Sequence, residues 1–378
     1  MNDILFPFIS LAISITAGLI HIPKIVLISK RKNLYDEAGG RKPHKGNIPR
    51  IAGLAFFPAF IISFFITYAI AAQTDEYSGI LLRPEFILQI GTMLAGLSML
   101  YMVGFVDDLI SVPWRIKFLV QFLATLMPVI SGMSIGSLDG LFGIHEIHPA
   151  IGGILTVLAV MLIINAYNLI DGIDGLCSSL SILATAALGI WFITHGMLLY
   201  CLISTSIAGI TAVYFYYNTT SGRFRTFMGD TGSTNLGYII AFLALAFYNI
   251  NTSSGSPASS VPDSISWHPL SIILGLVSLP LFDTVRVFAV RISKGLSPFH
   301  PDKRHLHHKL LNLGFTHLRC TLICIILQGC YFCMNYLMRE VNVNIVLAAD
   351  LAFMLLYTGA IDLLVKKYRQ KHCQTTEA

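Results

Sequence analysis

Eleven apolar runs partition the chain, near residues 4–28, 51–72, 86–106, 117–135, 150–168, 176–194, 198–217, 233–250, 268–290, 319–338 and 345–365. Crossing the hydrocarbon core of a bilayer takes roughly 17–25 apolar residues in a helix, because a helix satisfies its own backbone polar groups where no water can. Eleven repeats of that length predict one architecture, an all-α, polytopic integral membrane helical bundle. Composition agrees, since 12% of residues are charged, against about 25% in soluble domains. The first run has no basic residue ahead of it and no small-residue cleavage site behind it, so it reads as a span rather than a secretory leader. Seven cysteines lie mostly in apolar runs. The CYFC at 330–333 has no partner pair, so it reads as part of a helix face rather than a redox or zinc site.

Lys and Arg fall on one side of this array. Of 25, 21 lie in residues 29–50, 107–117, 218–232, 291–319 and the tail 366–378, whereas the opposite connections hold only Arg83 and Arg339. The positive-inside rule then places the N-terminus outside and the C-terminus, with its basic tail, in the cytoplasm. The chemistry-bearing residues follow the same side, in RKPHKGNIPR, GFVDDL, NLIDGIDG, FRTFMGDTGS and SPFHPDKRHLHH. The opposite loop NTSSGSPASSVPDSISW is a Ser/Pro/Gly connector. A transporter of lipid-linked material is the competing class, but it would concentrate ionisable groups near the bilayer midplane. The distribution favours a cytoplasm-facing active site acting on a membrane-dissolved substrate.

Each motif has an ordinary reading beside its chemical one. Asp107 and Asp108 end a span, where carboxylates oppose the helix dipole and call for a cation; Arg115 and Lys117 follow closely. In NAYNLIDGIDGL, Asn165, Asn168, Asp171 and Asp174 recur every third residue. On a regular helix each rung lags its predecessor by about 60°, so four rungs fan apart, while Gly172 and Gly175 predict unwinding past Leu169. A polar helix end with a turn is the alternative. FMGDTGS starts a span with a cap-forming Thr/Ser and two glycines. It lacks the spacing of a P-loop, yet Asp230 there is a hard oxygen donor beside a helix N-terminus that attracts phosphate. In PDKRHLHH, His305 and His307 are expected to diverge on a helix, and no Cys or Glu completes a zinc set. A cationic cradle for phosphate is therefore favoured. Asp283 and Arg286 in an apolar run read as an ion pair, and Asp350 and Asp362 as structural.

In this order and sidedness, RKPHKGNIPRIAG, GFVDDL with Lys117 following, NAYNLIDGIDGL, FMGDTGS and PDKRHLHH resemble the polyprenyl-phosphate N-acetylhexosamine-1-phosphate transferases, glycosyltransferases of family 4 type. The resemblance covers nearly the whole chain as a single transmembrane transferase domain, with site loops near 29–50, 107–117, 168–176, 218–233 and 291–318. HLHH, where the peptidoglycan branch has three consecutive histidines, and the basic FRTF stretch are similar to the undecaprenyl-phosphate GlcNAc-1-phosphate transferases. Two departures are Ala52–Gly53 in place of a usual glycine pair, and the absence of a proline ahead of FMGD. The second leaves the identity of the sugar open.

The resemblance implies transfer of HexNAc-1-phosphate, most simply GlcNAc-1-phosphate, from UDP-HexNAc to undecaprenyl phosphate in the bacterial inner membrane. UMP would leave, as the first membrane step of cell-surface polysaccharide synthesis. Another UDP-HexNAc or a phospho-MurNAc-pentapeptide donor is the alternative. It implies Mg2+, with Mn2+ as a substitute, held by Asp230 with Asn168 and Asp171. Asp107, Asp108, Asp171 and His305 would be catalytic. Lys45, Lys117, Asn168, Asp174, Asn218, Phe227, Arg304, His307 and His308 would bind substrate. The partners implied are the two substrates and the bilayer, with no nucleic acid and with a homodimer compatible. A phosphate monoester is largely dianionic at neutral pH, so Asp107 would position the lipid phosphate more than deprotonate it. The alternative is a covalent phosphosugar on an aspartate, which labelled UMP exchange without lipid acceptor would reveal. The CDP-alcohol phosphotransferases also pair aspartates at a membrane face, but pack them into one stretch.

Overall fold

The computed structural model describes residues 2–32, 34, 48–252, 268–297 and 304–376. Thirteen helices occur in this order: α1 Asn2–Arg31, α2 Phe56–Ala72, α3 Ser78–Leu81, α4 Pro84–Ile110, α5 Trp114–Ile130, α6 Pro149–Ile170, α7 Leu176–Thr194, α8 Leu198–Thr219, α9 Gly229–Thr252, α10 Pro269–Ser293, α11 Leu306–Asn312, α12 His317–Leu337 and α13 Val343–Thr376. A 3-10 turn, Ala52–Ala55, leads into α2. One antiparallel hairpin, β1 Ser137–Leu141 with β2 Ile144–Glu146, is the exception to an otherwise all-α chain.

Among the described residues, ten helices are long and apolar enough to cross a membrane, which makes this a multi-pass membrane protein. The one run that does not form such a helix, expected at 117–135, is α5. It covers 17 residues, about 25 Å at 1.5 Å per residue, short of the roughly 30 Å of a hydrocarbon core. Its first turn carries Arg115 and Lys117, and it stops at Ile130, ahead of Gly132 with φ +87°. The count of eleven full spans is corrected to ten spans and one shorter helix. The close connection between the runs at 176–194 and 198–217 is a turn at Gly196, φ +72°.

Burial follows chemistry suited to lipid. In a membrane, helices gain little by hiding apolar surface from each other, so small and hydroxyl side chains make the close contacts. Ser10 of α1 meets Ser206 of α8 at 2.6 Å, and Ser14 hydrogen-bonds the Ser206 carbonyl. α9 is the central helix, buried along nearly its whole length against α4, α6, α7 and α10. FMGDTGS runs into its first turn, so a polar, aspartate-bearing motif sits at the end of the most buried long helix among the described residues. The hairpin lies at the other end of the bundle, where Tyr248 near the end of α9 hydrogen-bonds both the N–H and the carbonyl of Ser137.

Candidate active site

Alternating helix direction brings the C-terminal ends of α4, α6 and α8 and the N-terminal ends of α5, α7, α9 and α12 to one face. The polar motifs occupy those ends. Asp107 Oδ1 accepts the Val112 N–H at 2.7 Å, closing the turn into α5, and Oδ2 accepts from Lys117 Nζ at 2.5 Å. Lys117 also donates to Asp230 Oδ2 at 2.9 Å. That ammonium supplies the cation which two carboxylates at a helix C-terminus call for. Asp108 is used differently. Its Oδ1 accepts the Asp230 N–H at 2.8 Å, and its Oδ2 accepts the Thr231 N–H at 3.1 Å and the Thr231 hydroxyl at 2.6 Å. It is a capping carboxylate lent by α4 to the first turn of α9, where unpaired N–H groups collect.

FMGDTGS is gripped from its other side by residues 49–53. Phe227 N–H donates to the Pro49 carbonyl at 2.8 Å, Ala52 N–H to the Phe227 carbonyl at 3.2 Å, and Gly53 N–H to the Met228 carbonyl at 2.9 Å. A Cβ on Gly53 would lie 2.3 Å from Gly232 N. One on Gly229, at φ +75°, would lie 2.3 Å from the Arg50 carbonyl oxygen and 2.5 Å from the Asp108 carboxylate. Both positions admit only glycine. Of the Ala52–Gly53 pair, the second is therefore the one whose backbone makes the closest approach to the motif.

The polar ladder does unwind past Leu169: α6 ends at Ile170, and residues 171–175 turn into α7 through Gly175, φ +79°. Its rungs reach four different places. Asn165 donates to Gln121 of α5 at 3.0 Å and back to the Met161 carbonyl at 2.8 Å. Asn168 donates to Ser233 of α9 at 3.0 Å. Asp171 lines a cavity. Asp174 Oδ2 lies 2.6 Å from Arg225 and 3.3 Å from His317 Nδ1. Asn218 pins this loop from α8, accepting the Gly175 N–H at 2.6 Å and donating to the Thr226 carbonyl at 2.9 Å.

The histidines depart from expectation. His305 is not helical but precedes α11 in extended conformation, so its ring does not diverge from that of His307. The two rings are nearly parallel, 9° apart in plane, with centroids 5.7 Å apart. The buried Asp283 of α10 holds the assembly: it pairs with Arg286 at 2.6 Å, meets His305 Nδ1 at 2.8 Å, and accepts the Leu306 N–H at 3.1 Å. The expected Asp283–Arg286 pair is present, and it extends to a histidine and a helix cap that the sequence did not reveal. His307 sits over the ladder turn, its Nε2 2.7 Å from where a Gly172 Cβ would be. Burial, reinforced by His308, lowers its pKa from 6.5 to about 3. At neutral pH it is an uncharged imidazole. His308 is half-buried with its ring 4.3 Å from that of His307, and Arg304 sends its carbonyl to Arg286 at 2.9 Å. Lys45 lies outside the described residues.

Two cavities meet here. One, of about 230 Å³, is lined by Arg50, Asn168, Asp171, Asp174, Asn218, Phe227 and Asp230 among others. The other, of about 140 Å³, is lined by Leu100, Val103, Trp114 and Phe118 together with Asp107, Lys117, Gln121, Asn165, Asn168 and Asp230. Asn168 and Asp230 belong to both. Oxygens of Asp107, Asp108 and Asp230 lie within 4.8 Å of one another, a hard-donor set suited to a divalent cation such as Mg2+. Of the ligands expected from sequence, Asp230 is in this set. Asn168 stands beside it at Ser233, and Asp171 is outside it among the described residues. Arg50, Arg225, His317 and Gln121 were not singled out. Arg50 and Arg225 belonged to quoted basic stretches, while Gln121 and His317 carried no motif and became visible only as partners of Asn165 and Asp174.

Residues 90–248 match Glycosyl transferase family 4. An undecaprenyl-phosphate α-N-acetylglucosaminyl 1-phosphate transferase of Salmonella typhi is 30% identical over 292 residues, 75% of this chain and 70% of the relative. The protein of that name from Escherichia coli K12 is 29% identical over 302 residues, 76% and 72% of the two chains. A probable undecaprenyl-phosphate N-acetylglucosaminyl 1-phosphate transferase of Bacillus subtilis is 26% identical over 325 residues, 86% and 82%. With two thirds of a 30% identical relative matched along its length, and the paired aspartates, the ladder and FMGDTGS joined in one site, the chain belongs to glycosyl transferase family 4, the membrane polyprenyl-phosphate HexNAc-1-phosphate transferases.

Proposed function

We propose that this protein transfers GlcNAc-1-phosphate from UDP-GlcNAc to undecaprenyl phosphate, releasing UMP, on the cytoplasmic side of a bacterial inner membrane. The observation that carries the reading is the shared wall of the two cavities. The acceptor is a phosphate on a lipid, and the 140 Å³ cavity sets Asp107 and Lys117 beside apolar residues of α4 and α5. The donor is a water-soluble diphosphate, and the 230 Å³ cavity is lined by loop residues and Arg50. Asp230 and Asn168, common to both, stand where acceptor oxygen and β-phosphorus must meet. The positive-inside rule, applied to the 21 basic residues in the connections that carry these motifs, supports the cytoplasmic side.

Phosphoryl transfer asks for positioning and charge neutralisation more than covalent chemistry. Mg2+, held at Asp107, Asp108 and Asp230, would supply neutralisation of the diphosphate. The chain does the rest. Asp108 fixes the FMGD backbone so that the Asp230 carboxylate faces both cavities. Lys117, tethered between Asp107 and Asp230, is in reach of the acceptor phosphate. Asp107, with one oxygen fixed by Val112 N–H, keeps the acceptor oxygen in line. Asp174 and Phe227 frame the nucleoside, and His307, neutral and buried, hydrogen-bonds phosphate rather than acting as a cation. The assay is UMP release by membranes supplied with undecaprenyl phosphate, Mg2+ and a panel of UDP-HexNAc donors. UDP-GlcNAc is expected to turn over fastest, with Asp230→Asn losing at least about a thousandfold in rate, the size of a lost electrostatic anchor. Parental UMP release by Asp230→Asn would overturn the enzyme reading, and preference for another donor would overturn the sugar.

A further inference from the structure

A cavity of about 700 Å³, larger than either active-site cavity, lies at the other end of the bundle. All four helices that form it reach it with the end distant from the site. Trp191, Thr194 and His195 close α7, Phe247 is near the end of α9, Ile272 and Leu276 open α10, and Arg339 follows α12. Its body is apolar, floored by the buried Phe247, Ile272 and Leu276. Its polar lining is Thr194, His195, Tyr336 and Arg339. His195 stacks on Trp191 at 4.1 Å, and the Arg339 guanidinium lies 4.8 Å over the Tyr336 ring. Trp and Tyr are the side chains that settle at the membrane–water boundary, so the rim lies at headgroup depth and the body at acyl-chain depth.

We propose that this cavity binds an anionic diacyl phospholipid of the leaflet opposite the catalytic face, its acyl chain between α7 and α12 and its phosphate on Arg339. Charge complementarity selects this occupant. Arg83 and Arg339 are the sole Lys or Arg in the connections of that side, and one of them stands at the mouth of this apolar cavity. Its present partners are weak ones, the exposed Glu340 at 3.3 Å and its own helix's Tyr336 carbonyl at 3.0 Å. A surface ion pair of that kind yields readily to a phosphate, which takes the planar guanidinium in two parallel bonds. A volume of this size is in the range, roughly 300–1,000 Å³, of sites that enclose a small ligand.

The test is a photo-crosslinker, benzoylphenylalanine, in place of the exposed cavity residue Ile190. Full-length protein in nanodiscs of equal phosphatidylglycerol and phosphatidylcholine is irradiated and its adducts are weighed by mass spectrometry. Ile154, exposed at the same end of α6 but outside the cavity, serves as the control position. The Ile190 probe is expected to take phosphatidylglycerol over phosphatidylcholine by about tenfold, because the choline ammonium of phosphatidylcholine offsets the phosphate charge that the Arg339 guanidinium meets, while the Ile154 probe shows no preference. Arg339→Gln abolishes the preference, and so does Ala187→Phe, which narrows the cavity between α7 and α12; both variants keep parental UMP release. Equal labelling by the two lipids, or a preference that survives Arg339→Gln, overturns the proposal. So does a peptide adduct at 190, which would assign the cavity to residues 253–267 of the chain or to a second copy.

Discussion

Asp108 offers the sharpest separation between doing chemistry and placing it. In Asp108→Asn the amide oxygen can still accept the Asp230 N–H, now 2.8 Å from Oδ1. The NH2 group then faces the Thr231 N–H and hydroxyl, which sit 3.1 and 2.6 Å from Oδ2. The hydroxyl can turn to accept, but the N–H cannot. One charge-assisted bond is lost and one donor of the buried Thr231 is orphaned, a combined cost of about 2–4 kcal/mol. Spread over the unfolding entropy of a chain this long, that lowers the melting temperature by about 3–5 °C. Asp107→Asn keeps its Val112 bond and loses chiefly the Lys117 pair, a change of about 1 kcal/mol. Melting in detergent is read alongside UMP release at rising Mg2+. Asp108→Asn is expected to melt early and to recover to within about tenfold of the parental rate at saturating Mg2+, since Asp230 is displaced but present. Asp107→Asn should melt within about 1 °C of the parent and stay slow, by at least about a hundredfold, at any Mg2+. If Asp108→Asn melts like the parent while its turnover vanishes at all Mg2+ concentrations, the capping argument is wrong and the carboxylate acts on the substrates.

Lys117 and a divalent cation compete for oxygens of Asp107 and Asp230, so Lys117→Met is expected to bind Mn2+ about tenfold more tightly without substrate, read by electron paramagnetic resonance, and yet to lose turnover. Gly229→Ala should fail to accumulate folded protein, since its Cβ would stand 2.3 Å from the Arg50 carbonyl oxygen; a well-folded variant by size-exclusion and melting would contradict the packing. His307 stays unprotonated in the fold down to about pH 3 but protonates near 6.5 once unfolded. Between those values the unfolded chain binds the extra proton, so stability is full above about 6.5 and falls toward pH 3 by up to about 1.4 kcal/mol per pH unit; His307→Gln should flatten that slope in melting curves. Labelled UMP should not exchange into UDP-GlcNAc without acceptor lipid, because both Asp107 oxygens are engaged by Val112 and Lys117; exchange at the forward rate would favour a covalent intermediate.

What the sequence made legible, and what it did not, follows from how each feature is encoded. Helices were legible because spanning a bilayer imposes a length on a contiguous run, and α7 lies at 176–194 as read from hydropathy alone. α5 was misjudged because its apolar run reads on to 135, whereas the helix stops at Ile130 ahead of the positive-φ Gly132. The fan of the ladder was legible from 3.6-residue geometry for Asn165 and Asn168, which turn to α5 and α9, and from the glycine break for Asp174, which leaves the helix and meets Arg225. The destinations were not legible, because a partner 44, 65 or 51 residues away leaves no local pattern. HLHH shows the same limit from the other side. Helical periodicity predicts divergent rings only if His305 is helical, and the residue that ends the helix before it is Asp283, 22 positions upstream. A carboxylate buried in a transmembrane run is costly unless paired, which marked Asp283 as engaged. That its oxygens also cap α11 follows only from the fold, and it is this second duty that turns His305 toward His307 and brings the histidine pair over Gly172.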